Sequence, residues 1–156
     1  MDYKVTRSLL LSGAPARKQE RLAEEARVLD EHFPSWRLYW KDEQNTMGIA
    51  VGTLQVDFAG HEYGLQIILP STYPHALPEI LPHGWIPSPN PHLIGDGLCV
   101  MRSNQWHSYM TIAFLVAKTA LWLNKYEIYI NRGIWPGAEQ HPHGLIYRTK
   151  KWLNGL

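Results

Sequence analysis

The chain has 156 residues, 45% of them hydrophobic and 19% charged, with a formal net charge of +1 at pH 7. That length suits a single domain that buries well over half of its unfolded surface, so folding requires neither disulfide nor metal. The near-zero charge excludes a basic phosphate-backbone binder, no apolar run reaches membrane-spanning length, and one Cys cannot form an internal disulfide, which together predict a cytoplasmic protein.

The first expected element is a helix from Pro15 to Phe33. Ser12 can cap it and Pro15 sits in its first turn, where a missing N–H does no harm. Leu22, Ala26, Leu29 and Phe33 recur at helical spacing and predict the buried face, and Pro34 ends the helix. The period then changes to two. Trp36, Leu38 and Trp40 alternate with polar residues, as do Met47, Ile49 and Val51. Leu54, Val56 and Phe58 follow after Gly52-Thr53, and Tyr63 to Leu69 is the next strand. Short turns between such runs predict an antiparallel meander.

From Pro70 to Asp96 prolines recur at 70, 74, 78, 82, 87, 89 and 91. They exclude a helix and any central strand. The interleaved Tyr73, Leu77, Ile80, Trp85 and Ile86 favour an ordered loop packed on the domain over a linker. After Cys99, residues Thr111 to Ile130 carry a wide apolar stripe that includes Ile112, Leu115, Val116, Ala120 and Leu123, which predicts a buried helix. Gly133, Pro136 and Gly137 then break the chain, and Gly144 to Leu156 reads as a short basic terminal helix. Helix, strands, long loop and helix in this order predict an α+β fold with helices against an antiparallel sheet.

Cys99 is the only cysteine. A lone free Cys is often a buried core thiol. Here Gly95 and Gly97 permit tight turns beside it and leave room for another chain to approach, which suits an exposed nucleophile. The surrounding segments read Tyr63-Gly-Leu-Gln-Ile-Ile-Leu-Pro70, then Tyr73-Pro74…Pro78, then Asn90-Pro91-His92…Gly97-Leu98-Cys99, then Trp106 and the second helix. In order and spacing they resemble the ubiquitin-conjugating enzyme (UBC-fold) family, over roughly Trp36 to Tyr126.

The resemblance implies one UBC-like domain over residues 1–156, with a core at about 15–130 and a divergent segment at 131–156. It implies an N-terminal helix, a four-stranded antiparallel meander, a long Pro-rich flap bearing the cysteine, and a central helix. It also implies that Cys99 is the nucleophile of a thioester-forming acyltransferase that accepts an activated protein C-terminus. Such an exchange needs no cofactor and no metal. The family's His-Pro-Asn is Asn90-Pro91-His92 here. His92 aligns best with the family's Asn and can donate a hydrogen bond to an oxyanion or act as general base. Asn90 can supply an amide donor if the loop folds back, and both residues can equally be turn formers. His83 and His107 are weaker candidates near the cysteine, and Trp106 is expected to anchor the flap.

The compact ending, Gly133-Ile-Trp135-Pro136-Gly137 and His141-Pro-His143, resembles the bacterial stand-alone branch found in cyclic-oligonucleotide anti-phage (CBASS) operons. That resemblance implies a protein partner, a cGAS/DncV-like nucleotidyltransferase held through its C-terminus, and no nucleic acid or membrane. His141 and His143 alone fall short of a metal site. No Walker-type loop is present, so another protein must activate the carboxylate. Two other readings stay open: a noncatalytic UBC-like binding module, and a Cys/His hydrolase.

Overall fold

In the computed structural model, which describes residues 9–10, 18–40, 47–56 and 59–137, helix α1 spans Lys18–His32. The expected cap at Ser12 and Pro15, the His141–His143 pair and the basic end from Gly144 lie outside the described residues. The buried face of α1 differs from the expected one. Leu22, Val28, Leu29 and Phe33 are buried together with Arg21 and Glu25, while Ala26 faces solvent. The apolar spacing misled because Arg21 and Glu25 satisfy each other's charge. One turn apart on the helix, they form an ion pair at 2.9 Å with 1% and 0% exposure.

Four strands form one antiparallel sheet in the order β1-β2-β3-β4, with β1 Arg37–Trp40, β2 Gly48–Val56, β3 His61–Ile68 and β4 Glu79–Pro82. Strand β2 runs straight through Gly52-Thr53. Its apolar residues change parity there, because Ala50, Leu54 and Val56 point into the core while Ile49 and Val51 lie on the outer face. Gly52 belongs to the inner row, and the ring of Trp36 fills its place. A Cβ at residue 52 would lie 2.3 Å from that ring, whose N–H donates to the Thr53 carbonyl at 3.1 Å. Ala50, Ile67 and Ile80 face one another across three strands and are all buried. Strand β4 forms within the proline-rich stretch, and it does so at the sheet edge, where proline is tolerated.

Helix α2, Ile112–Arg132, lies behind the sheet. Thr111 caps it by accepting from the Phe114 amide, and Gly133 closes it in the left-handed region at φ 74°. Two buried carboxylates fix this helix. At its N-terminus, Glu25 accepts from the Ile112 amide at 2.7 Å, the Tyr73 hydroxyl at 2.5 Å and the Arg21 guanidinium. Arg21 also donates to the carbonyls of Ser108 and Met110. Burial pushes the Glu25 carboxyl above its ordinary range, while its donors pull the other way. Toward the C-terminal end, Glu127 accepts from the Tyr63 hydroxyl and contacts His61 Nδ1 at 2.6 Å.

Removing one member of a buried pair strands the other, at a cost of about 3–5 kcal/mol. Glu25→Ala should therefore destabilise the fold by that amount in urea unfolding. Arg21→Ala combined with it should cost markedly less than the sum of the two single changes.

Candidate active site

After β3 the chain enters a flap tied down at successive points. Tyr73 is buried against α1 through Glu25, and the Tyr73–Pro74 peptide is cis. The Pro74 carbonyl accepts the indole N–H of Trp106 at 2.8 Å, so Trp106 anchors the flap as the sequence leads one to expect. Past β4, the Gly64 carbonyl accepts both the His83 amide at 2.9 Å and the Trp85 indole at 2.7 Å. Only glycine fits at 64, because a Cβ would lie 2.4 Å from the His83 oxygen. The Ser88 amide then donates to the Tyr126 hydroxyl on α2 at 2.8 Å.

Asn90, His92 and Cys99 are linked by backbone bonds and the Asn90 side chain. Asn90 donates from Nδ2 to the Ser88 carbonyl at 2.9 Å and accepts the His92 amide on Oδ1 at 2.8 Å. The His92 carbonyl in turn accepts the Cys99 amide at 3.0 Å. Asn90 thus builds the turn that leads into His92, in the manner of its residue type. The His92 ring stacks on Trp135, with centroids 4.6 Å apart and planes at 29°. His83 and His107 are occupied elsewhere. His83 meets Gln66 at 2.6 Å and His107 stacks on Tyr109.

The Cys99 amide bond closes a small hairpin of β5, Leu93–Ile94, and β6, Gly97–Leu98. Gly95 takes φ 57° in its turn, where a two-residue hairpin loop demands a positive value. Gly97 lets the hairpin approach β4, since a Cβ there would lie 2.9 Å from the Ile80 carbonyl oxygen. Leu98 is buried in the core, which aims the following residue outward.

Cys99 is half-buried, and its Sγ lies 3.8 Å from the Met101 carbonyl oxygen. It opens onto a groove of about 610 Å³ between the 76–80 segment and the 98–103 segment. Leu77, Pro78, Ile80, Val100 and Met101 make its lining largely apolar, and Glu79 and Arg102 are the charged residues in it. Among the described residues no group of three or more His, Cys, Asp or Glu side chains could hold a metal ion. No helix among them is long and apolar enough to cross a membrane. A thiol at the end of a rigid hairpin, open to an apolar groove, is suited to nucleophilic attack on a carbonyl delivered by an extended chain.

The family described as Type II CBASS E2 protein matches residues 25–142. The chain belongs to this family. Among solved structures, it is similar to a ubiquitin-conjugating enzyme E2 from Plasmodium falciparum. The two share 16% sequence identity and a TM-score of 0.50, over 76% of this chain and 92% of that one. At that identity the likeness carries the UBC-like fold. No curated protein sequence matches the chain. Membership gives this CBASS E2 a conjugating role of the E2 kind, directed at a protein partner.

Two parts of the CBASS E2 site were not legible in its sequence. The first is the pairing of the 76–80 and 98–103 segments into one groove. The second is Trp122, whose indole donates to the His92 carbonyl at 3.1 Å. Trp122 reads as one more apolar residue on the α2 stripe. Only the need of a buried indole N–H for an acceptor marks it out.

Gly97→Ala tests whether the close approach of hairpin and β4 sets the presentation of Cys99. Forcing the added methyl against backbone should cost about 1–3 kcal/mol. Alkylation of Cys99 by iodoacetamide should change in rate, while circular dichroism shows the secondary structure retained.

Proposed function

We propose that this CBASS E2 carries the C-terminus of a partner protein as a thioester on Cys99, in the cytoplasm. The observation that carries the reading is the position of Cys99, half-exposed at the end of the flap hairpin and open to an apolar groove. The Cys99 thiolate attacks the carbonyl carbon of a C-terminus already activated as a thioester on another protein. A new carbon–sulfur bond forms at Cys99 as the old one breaks, and the departing thiolate takes up a proton. The exchange is nearly balanced in energy, so the protein's task is to present the thiol, hold the tail and stabilise the oxyanion.

The partner in this reading is a cGAS/DncV-like nucleotidyltransferase, a protein of the same defence operon, whose tail enters the groove. His92 and Asn90 assist Cys99. Both precede the hairpin that ends in Cys99, and the His92 backbone links them to it. His92 has the residue chemistry of a proton acceptor near neutral pH, and Asn90 has that of an amide donor.

Incubation with the nucleotidyltransferase and its activating enzyme tests this directly. Wild type should give an adduct removed by thiol reductant, and Cys99→Ser a reductant-resistant oxyester of the same mass. Product release with no adduct from either form would establish a hydrolase. Unchanged biological activity of Cys99→Ala would establish a noncatalytic binding module.

The assisting roles have a separate readout. His92→Ala and Asn90→Ala should each slow transfer by about a hundredfold.

A further inference from the structure

One oxygen atom joins the nucleophile's backbone to the central helix. The His92 carbonyl accepts the Cys99 amide at 3.0 Å and the Trp122 indole N–H at 3.1 Å. A carbonyl oxygen has two lone pairs, and these two donors fill them. Trp122 is 4% exposed and sits on α2, which packs its buried face behind the sheet.

The hairpin that ends in Cys99 needs such support. Its strands are two residues each, and a two-stranded hairpin is marginal by itself. On one side Gly97 lies close to the β4 backbone. On the other side stand Trp122 and Trp135. The left-handed turn at Gly133 reverses the chain after α2 and brings Trp135 back against it. Trp135 is 1% exposed, with its ring 5.2 Å from Trp122 and 4.6 Å from His92. The carbonyl of His92 is therefore held by one indole and its ring is stacked on another.

We infer that Trp122 is a positioning residue for Cys99, fixing the His92 carbonyl that orients the Cys99 amide, with Trp135 bracing the same residue from its ring side. The inference builds on the reading of Cys99 as nucleophile. Sγ is three bonds from the amide nitrogen, so a swing of that peptide moves the sulfur relative to the groove. A displacement of about 1 Å at a reacting atom can cost on the order of a hundredfold in rate. Trp122 touches no reacting atom and acts only through His92.

Trp122→Phe keeps the ring in the core and deletes the N–H. The test is carried out on the full chain without any partner, by amide hydrogen exchange and by iodoacetamide alkylation across pH. The Cys99 amide should exchange on the order of tenfold faster, while the amides of Leu65 in β3 and Leu115 in α2 keep their protection. The alkylation rate of Cys99 should change by about threefold or more, with the pH profile displaced. Unchanged Cys99 protection overturns the inference. So does a rise by the same factor at Leu65 and Leu115, the signature of a purely structural role. Should Trp122→Phe fail to fold, benzothienylalanine at position 122 replaces the N–H by sulfur at nearly constant shape and is judged by the same outcomes. A localised loss of protection at Cys99 supports the positioning role even where Cys99→Ser traps no oxyester, a result that would count against the carrier reading alone.

Discussion

A carboxylate with no solvent exposure, on Glu25, holds together three parts of the chain that are far apart in sequence. It receives a guanidinium from its own helix, a phenol from the start of the flap and an amide from the first turn of α2. Burial of a charge without partners would be prohibitive, so each donor is required by the others. The Tyr73 hydroxyl stays protonated across the working pH range, because burial and the neighbouring carboxylate push its pKa well above the usual value. The carboxylate thereby fixes α1 against α2 and, through Tyr73, starts the flap at a defined place on the sheet.

From that fixed start the flap runs across the molecule as a series of backbone groups held by aromatic donors. Trp106 holds the Pro74 carbonyl and Trp122 holds the His92 carbonyl, while Trp85, itself in the flap, donates to the Gly64 carbonyl of β3. Tyr126 acts in the opposite sense, its hydroxyl accepting the Ser88 amide. Here the aromatic richness of the chain finds a use. Proline removes backbone donors from the flap, so its carbonyls cannot be satisfied by a regular ladder. Indole N–H groups supply donors at single points, and their rings fill the space beneath. A rigid loop results without regular secondary structure over most of its length.

The broad plan of the fold could be read from the sequence because it rests on period and punctuation. The alternation in β3, the stripe on α2 and the Gly133 stop each follow from a local rule. The buried face of α1 could not, since a charged pair one turn apart looks like solvent-facing decoration unless its distant partners are known. Strand β2 hid its continuity for a similar reason. The residue that fills the inner row at Gly52 is Trp36, from before the preceding strand. At the site, Cys99 and its glycines were visible as a motif. The role of the His92 backbone was invisible, because a carbonyl has no letter in a sequence.

The Trp106–Pro74 hydrogen bond has a further consequence for the groove. The two walls of the groove are the segments that follow Pro74 and precede Trp106, so this one contact ties together the outer ends of both. Ile80 and Leu98 at the inner ends of these walls belong to the buried core, and Leu77, Val100 and Met101 pack against it. The exposed wall residues Glu79, Arg102 and Ser103 can therefore be exchanged or recharged while the sheet, α2 and the hairpin keep their packing. The charge at the rim of the groove is thereby set separately from the packing that holds the fold.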